Sequence, residues 1–170
     1  MISERINSLP ETPILSMFYT AGYPRLNDTM AILSELQGSG VDMVEIGFPF
    51  SDPVADGPTI QRSNDVALRN GMTVPVLFEQ LASMRSTISV PVLLMGYFNP
   101  AMQFGFRKFL EQASAVGVDA LIIPDLPFAE YQRSYAVPYE RNGVSPVFLV
   151  TSRTSEKRIR EFESDRKSVV

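Results

Sequence analysis

The feature that most constrains the fold of this chain is a regular alternation between short apolar runs and longer amphipathic stretches. The apolar runs have little polar alternation, which is typical of strands covered on both faces. They predict strands at Ile14–Thr20, Met43–Gly47, Pro91–Gly96, Ala120–Ile123 and Pro146–Val150. A further short run, Lys167–Val170, predicts the start of a sixth strand. We therefore expect strands and helices to alternate along the chain.

The stretches between the apolar runs carry apolar residues at helical spacing, and several of them end at a glycine. They predict helices at Asp28–Gln37, Pro58–Arg69, Thr73–Ser86, Phe106–Val116, Phe128–Arg141 and Thr154–Phe162. Strict alternation of strand and helix implies an α/β fold with a parallel sheet. The pattern leaves two architectures open, an open doubly wound sheet and a closed barrel of eight β/α units.

The length of 170 residues predicts one domain that spans residues 1–170. With 45% hydrophobic residues, the chain has enough apolar material for a packed core. A closed eight-stranded barrel typically needs about 250 residues. If the barrel is the correct architecture, we expect this chain to hold only the first five to six β/α units.

The composition excludes several kinds of chemistry. The sequence contains neither Cys nor His, so disulfides, Cys/His zinc sites, cysteine nucleophiles and histidine bases are ruled out. Proton transfer would have to use Asp, Glu, Lys or Tyr. The net charge of −4, without a basic stripe, argues against nucleic acid and anionic membranes as partners. Without a signal-like apolar run, we expect a cytoplasmic protein.

The segment VEIGFPFSDPVADGP, residues 44–58, concentrates acidic residues in an unusual setting. Glu45 lies inside a predicted strand, where a partly dry carboxylate could exchange protons or simply make a structural hydrogen bond or ion pair. Asp52 precedes a proline and suits a turn. Asp56 precedes Gly57-Pro58, so it could cap the next helix or reach across the strand ends towards Glu45. The residues alone leave these alternatives open.

The eighteen residues VEIGFPFSDPVADGPTIQ, 44–61, resemble the signature of the tryptophan synthase alpha chain family. The motifs FYTAGYP, LLMGYFNP and GVDALIIPDLP follow in the family's order, and the resemblance runs from about Leu15 to Val150. It implies a (β/α)8 TIM barrel and a carbon–carbon lyase of tryptophan biosynthesis. That lyase cleaves indole-3-glycerol phosphate to indole and glyceraldehyde 3-phosphate. It also implies an alpha2-beta2 complex with a beta chain, in which pyridoxal phosphate belongs to the beta chain and the alpha chain uses no cofactor.

The resemblance also implies roles for individual residues, with no metal among them. Glu45 matches the general acid–base, and Asp56 matches the carboxylate that accepts a hydrogen bond from the indole N–H. Phe18 and Leu94 match apolar walls of the substrate site, although core packing is an equal alternative. Asp125 matches a residue that orients the mobile Asp56 loop, with a plain turn residue as the alternative. The positions that match the surface facing the beta chain are Pro53, Tyr97 and Asn99.

One part of the family pattern has no counterpart in this sequence. The family binds the substrate phosphate with loops around strands seven and eight, and the resemblance stops before them. We therefore expect a C-terminally truncated member with little or no activity by itself. A non-catalytic fragment that only binds the beta chain is the alternative function. Another phosphosugar enzyme on the same barrel is disfavoured, because no Lys lies in a predicted strand before Lys167.

Overall fold

The computed structural model describes residues 14–53, 55–164 and 168–169. Within them the strands are β1 Ser16–Thr20, β2 Met43–Gly47, β3 Val92–Met95, β4 Ala120–Ile122, β5 Ser145–Phe148 and β6 Ser168–Val169. All pair in parallel, and each strand lies beside its neighbours in the chain, in the order β1-β2-β3-β4-β5-β6. A doubly wound sheet reverses its order at a switch point, whereas a barrel does not. The sheet therefore has the winding of a (β/α) barrel.

Helices connect the strands on one side of the sheet. They are α1 Thr29–Gly38, α2 Pro58–Arg69, α3 Val74–Leu81, α4 Phe98–Phe104, α5 Phe106–Ala115, α6 Phe128–Glu130, α7 Ala136–Asn142 and α8 Glu156–Ser164. A π-helical turn, Tyr131–Tyr135, joins α6 to α7, and short 3₁₀ turns cover Leu26–Asp28 and Met84–Ser86. Pro58 opens α2, where its missing N–H has no cost, and the Thr73 hydroxyl accepts a hydrogen bond from the Val76 N–H to cap α3.

The predicted elements are confirmed, and most of their ends agree within two residues. The predicted helix Thr73–Ser86 is instead α3 followed by a 3₁₀ turn. The sixth strand is present at Ser168–Val169, and the flanking Lys167 and Val170 lie outside the described residues. Helix α4 is not among the predicted helices. It begins directly after β3, and its first N–H, on Phe98, donates to the Asp125 carboxylate at 2.8 Å. A cap from 27 residues away leaves no local signal.

The strands bury their two faces in different surroundings. Residues in the outer cluster pack against the helices, and those in the strands are Val44, Ile46, Val92, Leu94 and Leu121. The inner cluster consists of Met43, Leu93, Ala120, Ile122 and Val147, with Met95 packed against it. Because side chains alternate along a strand, Glu45 lies on the inner face with Met43 and Gly47. In the part of the chain that the structure describes, no helix has the length and apolar character needed to cross a membrane.

Candidate active site

Glu45 occupies the centre of β2, in register with Phe18 of β1 and Leu93 of β3. Its side chain is half-buried, and its Oε1 accepts a hydrogen bond from the Ser16 hydroxyl at 2.6 Å. Ser16 pairs with Met43, so it lies on the amino-terminal side of Glu45. Among the described residues Glu45 has no ion pair. A partly buried carboxylate that lacks a basic partner is costly for stability alone.

A cavity of about 220 Å³ lies at the carboxyl ends of the strands. Its wall is mostly apolar, with a carboxylate, an amide and a phenol among the lining groups. The lining residues are Phe18, Gly47, Phe48, Ala55, Asp56, Ile60, Asn64, Met95, Gly96, Tyr97, Pro124 and Leu149. An apolar wall with a few convergent polar groups is the usual composition of a small-molecule site. Glu45 is not among the lining residues, but Gly47, two positions further along the same face of β2, is.

Two glycines give the aromatic walls of this cavity their room. A Cβ at Gly47 would come within 2.6 Å of the Phe18 ring. A Cβ at Gly96 would come within 2.4 Å of the Phe48 ring. Both separations are far below van der Waals contact. Gly47 and Gly96 are therefore required for the two rings to keep their positions beside the strand ends.

Asp56 lies on the loop after β2, and its side chain is half-buried at the cavity. Its backbone carbonyl accepts a hydrogen bond from Gln61 Nε2 at 2.8 Å, and its Oδ2 lies 3.5 Å from Asn64 Nδ2. The residue at the cap position of α2 is Gly57, and no side chain in the described ranges caps that helix. The alternative that Asp56 serves as a helix cap is therefore wrong, and its carboxylate points to the cavity instead.

Tyr97 lies beneath this loop and is only 5% exposed. Its ring packs against Phe50 with 5.7 Å between centroids, and its Oη accepts the Ala55 N–H at 2.9 Å. Burial raises the pKa of Tyr97, and the Asp56 carboxylate raises it further, whereas the Ala55 hydrogen bond lowers it. The phenol is therefore protonated at neutral pH. The partner-facing role that the resemblance implied for Tyr97 stays a prediction.

Two other predicted site residues do not line the cavity. Leu94 is fully buried in the outer cluster, in register with Ile46, and its neighbours Leu93 and Met95 have the inner-face positions. A shift of one residue reverses the face of a strand, so Leu94 is not a cavity wall. Asp125 is exposed and caps α4 through Phe98, and it does not line the cavity. Phe18, by contrast, lines the cavity, and its role as a wall of the substrate site stays a prediction.

The remaining predicted positions lie on the outside of the same strand ends. Asp52 and Asn99 line an open groove between the loop after β2 and helices α3 and α4. Asn99 is exposed, and the half-buried Pro53 follows Asp52 directly. Pro49, Phe50, Pro75 and Pro100 give this groove an apolar floor. The structure thus places Asn99 and Asp52 on one groove, with Pro53 next to Asp52 in the chain.

Sequence reasoning missed Asn64, which is 5% exposed and lines the cavity from α2. A signal for it exists in the sequence. The buried residues of α2 are Ser63, Asn64 and Ala67, so two of its inward positions carry polar side chains. A polar side chain on an inward helix face needs a buried partner, and Asp56 is the partner here. The same face places Ser63 against Thr20, with 2.7 Å between the hydroxyl oxygens.

These features define a class of protein: a parallel α/β barrel fold with acidic side chains and an apolar cavity at the carboxyl ends of its strands. Residues 9–170 match the model of one protein family, described as tryptophan synthase alpha chain. The chain belongs to the tryptophan synthase alpha chain family.

Several relatives carry that name. The tryptophan synthase alpha chain of Flavobacterium psychrophilum is 53% identical over 151 residues, which cover 89% of this chain and 60% of that protein. The one from Parabacteroides distasonis is 52% identical over 163 residues, 94% of this chain and 63% of that protein. This chain thus spans about 60% of the length of the curated relatives it matches.

Solved structures agree with the fold. The tryptophan synthase subunit alpha of Legionella pneumophila superimposes with a TM-score of 0.88 at 34% identity, over 94% of this chain and 62% of that one. A chain in the tryptophan synthase complex of Pyrococcus furiosus superimposes with a TM-score of 0.83 at 35% identity, over 89% of this chain and 62% of that one. The prediction of a (β/α)8 barrel of which this chain holds the first five to six units is confirmed.

Proposed function

We propose that this protein cleaves indole-3-glycerol phosphate to indole and glyceraldehyde 3-phosphate, as a carbon–carbon lyase of tryptophan biosynthesis in the cytoplasm. The observation that carries the proposal is the placement of two carboxylates on one strand–loop unit. Glu45 lies on the inner face of β2, and the loop after β2 carries Asp56 into an apolar cavity at the end of that strand. Family membership supports the same assignment.

The reaction is a retro-aldol cleavage that needs protons moved at two places. The indole ring must be protonated at C3, and the glycerol hydroxyl must lose its proton. Glu45 is the residue proposed to exchange these protons. Asp56 accepts a hydrogen bond from the indole N–H, and its fixed negative charge stabilises the positive charge that develops on the ring nitrogen. The apolar walls that Phe18, Phe48 and Met95 contribute suit an aromatic bicyclic ring.

Glu45 has to change its hydrogen bond to act in this way. Its carboxylate now meets Ser16 on the amino-terminal side, whereas the cavity begins at Gly47 on the carboxyl side. The Phe18 ring covers Gly47. A rotation of Glu45 past the edge of that ring would bring its oxygens to the cavity floor. No side chain at position 47 stands in the way, which is a second use for this glycine.

We further propose a beta chain as the partner, in an alpha2-beta2 complex whose pyridoxal phosphate is held by the beta chain. The open groove that Asp52 and Asn99 line, next to Pro53, is the proposed contact surface. It adjoins the loop that carries Asp56, so binding there could act on the cavity. The name of the Pyrococcus furiosus structure, a tryptophan synthase complex, supports a multi-chain assembly.

The test is indole release from indole-3-glycerol phosphate, measured with a purified beta chain present. Glu45→Gln is nearly isosteric but cannot exchange the proton, so we expect its kcat to fall by about 100-fold or more. Glu79→Gln is the matched control, because Glu79 is exposed on α3 and should leave the rate unchanged.

Two outcomes would contradict the lyase proposal. One is an unchanged rate in the Glu45→Gln protein. The other is the absence of indole release by the unsubstituted protein. If the protein then still stimulates the beta chain, the non-catalytic binding module becomes the better description.

A further inference from the structure

We infer that Tyr97 and Asn64 are positioning residues for Asp56. The Tyr97 hydroxyl holds the loop at Ala55, and the Asn64 amide turns the Asp56 carboxylate into the cavity. The inference rests on the proposed function for the purpose of that carboxylate. Its structural part, the attachment of the loop, can be measured without any lyase activity.

The first support is a contrast in burial between the two positioning residues and the loop residues that they contact. Tyr97 and Asn64 are each 5% exposed, whereas Ala55 is exposed and Asp56 is half-buried. A buried hydroxyl or amide is stable only when hydrogen-bonded. Their contacts to this loop are the bond from the Ala55 N–H to Tyr97, the approach of Asn64 to Asp56 Oδ2, and a direct interaction of the Tyr97 phenol with Asp56. Loss of the loop position would remove these contacts.

The second support is a division of labour between the two contacts. The Tyr97 contact, 2.9 Å to a backbone N–H, fixes where the loop runs. The Asn64 contact, 3.5 Å to a carboxylate oxygen, is at the upper limit for a hydrogen bond and restrains only direction. A carboxylate that is held in place but weakly bonded can still accept a short hydrogen bond from a ligand N–H.

The third support is where the anchors originate. Asn64 lies on α2, and Tyr97 lies at the cap position of α4, two residues after the end of β3. Tyr97 lies 42 residues from Ala55 in the chain, and its ring is fixed against Phe50. Sites whose supporting groups are on rigid elements hold their geometry better than loops do by themselves.

Tyr97→Phe tests the loop anchor, because it keeps the ring and removes the oxygen that accepts the Ala55 N–H. We expect amide exchange at Ala55 to become about fivefold faster, the equivalent of one net hydrogen bond, and kcat/KM for indole release to fall by about five- to tenfold. The matched control is Tyr135→Phe, whose hydroxyl meets Met102 Sδ at 3.7 Å away from the cavity. It should change neither value.

Asn64→Ala tests the carboxylate contact, and its effect is measured both in the unsubstituted protein and in Asp56→Asn. We expect about a tenfold loss of kcat/KM in the first and less than about twofold in the second, because the amide acts through the carboxylate. Asn142→Ala is the control. It removes an amide that donates to the Pro138 carbonyl at 2.8 Å, near the amino-terminal end of β5, and should leave kcat/KM unchanged.

The failures of the two proposals are distinguishable. Unchanged exchange at Ala55 in Tyr97→Phe overturns the loop anchor, whether or not the protein releases indole. Equal losses from Asn64→Ala in both backgrounds overturn the role of Asn64 and leave the lyase standing. Absence of indole release overturns the proposed function, and the Ala55 exchange rates still decide on Tyr97.

Discussion

The two ends of the strands in this sheet are built on different principles. At the amino-terminal end, polar side chains make several hydrogen bonds each and join neighbouring β/α units. Arg85 donates to the carbonyls of Gly117, Ile88 and Val90 and pairs with Asp119. Gln37 of α1 likewise meets the segment before β3, where its Oε1 accepts the N–H groups of residues 89 and 90. At this end, the charged and polar side chains therefore stabilise the fold by bonding to each other and to the backbone.

From the centre of β2 towards the carboxyl-terminal end, two acidic groups are left without a basic partner among the described residues. Within residues 14–53, 55–164 and 168–169, neither Glu45 nor Asp56 has an ion pair. Glu45 accepts a hydrogen bond from one hydroxyl, and the Asp56 carboxylate lies 3.5 Å from the Asn64 amide and next to the Tyr97 phenol. The comparison separates a hydrogen-bonded network at the amino-terminal end from the carboxylates that we propose to be reactive, as expected for a parallel barrel. A protein leaves carboxylates without basic partners where a ligand is to complete their contacts.

The largest effect that the comparison predicts is at the amino-terminal end. Arg85→Met should lower the free energy of unfolding by about 3 kcal/mol, because it removes the cation opposite Asp119 and the donor to three carbonyls. Urea denaturation measures this. Arg69→Met, on an exposed helix position, is the control. A loss below about 1 kcal/mol would show that the network contributes little.

The next effect lies at the carboxyl-terminal end. Gly96→Ala should destabilise by about 2 kcal/mol and weaken indole binding, because the new Cβ forces the Phe48 ring away from its place in the cavity wall. The control is Gly38→Ala, where no described residue lies within 4 Å of a Cβ and the substitution should be neutral or stabilising. Unfolding curves and indole titrations of both proteins measure the difference. Unchanged indole affinity in Gly96→Ala would mean that the Phe48 ring is no wall of the site.

A smaller loss is expected from Gln37→Ala, which removes the side chain that spans α1 and the residues before β3. Its amide donates to the Thr87 carbonyl at 3.0 Å, and its Oε1 accepts the Ser89 N–H at 2.7 Å. We expect the free energy of unfolding, measured by urea denaturation, to fall by about 1–2 kcal/mol, with indole binding unaffected. Gln112→Ala, exposed on α5, provides the comparison. Weaker indole binding in Gln37→Ala would contradict the separation of the two ends.

The smallest effect is expected from Ser16→Ala. This substitution removes the hydroxyl that donates a hydrogen bond to Glu45. Because water can replace that hydroxyl at a half-buried site, the free energy of unfolding should change by less than about 1 kcal/mol. Indole release should be retained, because the residue that moves protons is intact. A loss as large as that of Glu45→Gln would give Ser16 a part in the reaction and would contradict the separation of the two ends.

Much of the fold is predictable from local features of the chain. The apolar runs and helical spacing mark β1 to β5 and most of the helices, because backbone periodicity is written locally in the sequence. Glu45 is recognisable because a charge interrupts an apolar run. Helix α4 escapes prediction since its seven residues, with a proline at position 100, carry no strong period and its cap comes from Asp125.

The acidic residues of the candidate site stand out in the sequence, whereas the side chains that surround them are harder to predict. Leu94 has the core-packing position that the sequence left as an equal alternative. Two consecutive leucines in β3 cannot be distinguished by type, and only the register with β2 shows which face each occupies. Tyr97 lies under the loop after β2. That position depends on a hydrogen bond across 42 residues, which no local pattern reports.

The sequence by itself determined the alternation of strand and helix, the parallel sheet and the acidic strand–loop unit from Glu45 to Asp56, because each depends on the spacing of neighbouring residues. Only the tertiary structure decided the winding order, the inner face, and the anchoring of Asp56 by Tyr97 and Asn64. These depend on which distant segments meet when the sheet and its helices pack, and side-chain partners are chosen at that stage.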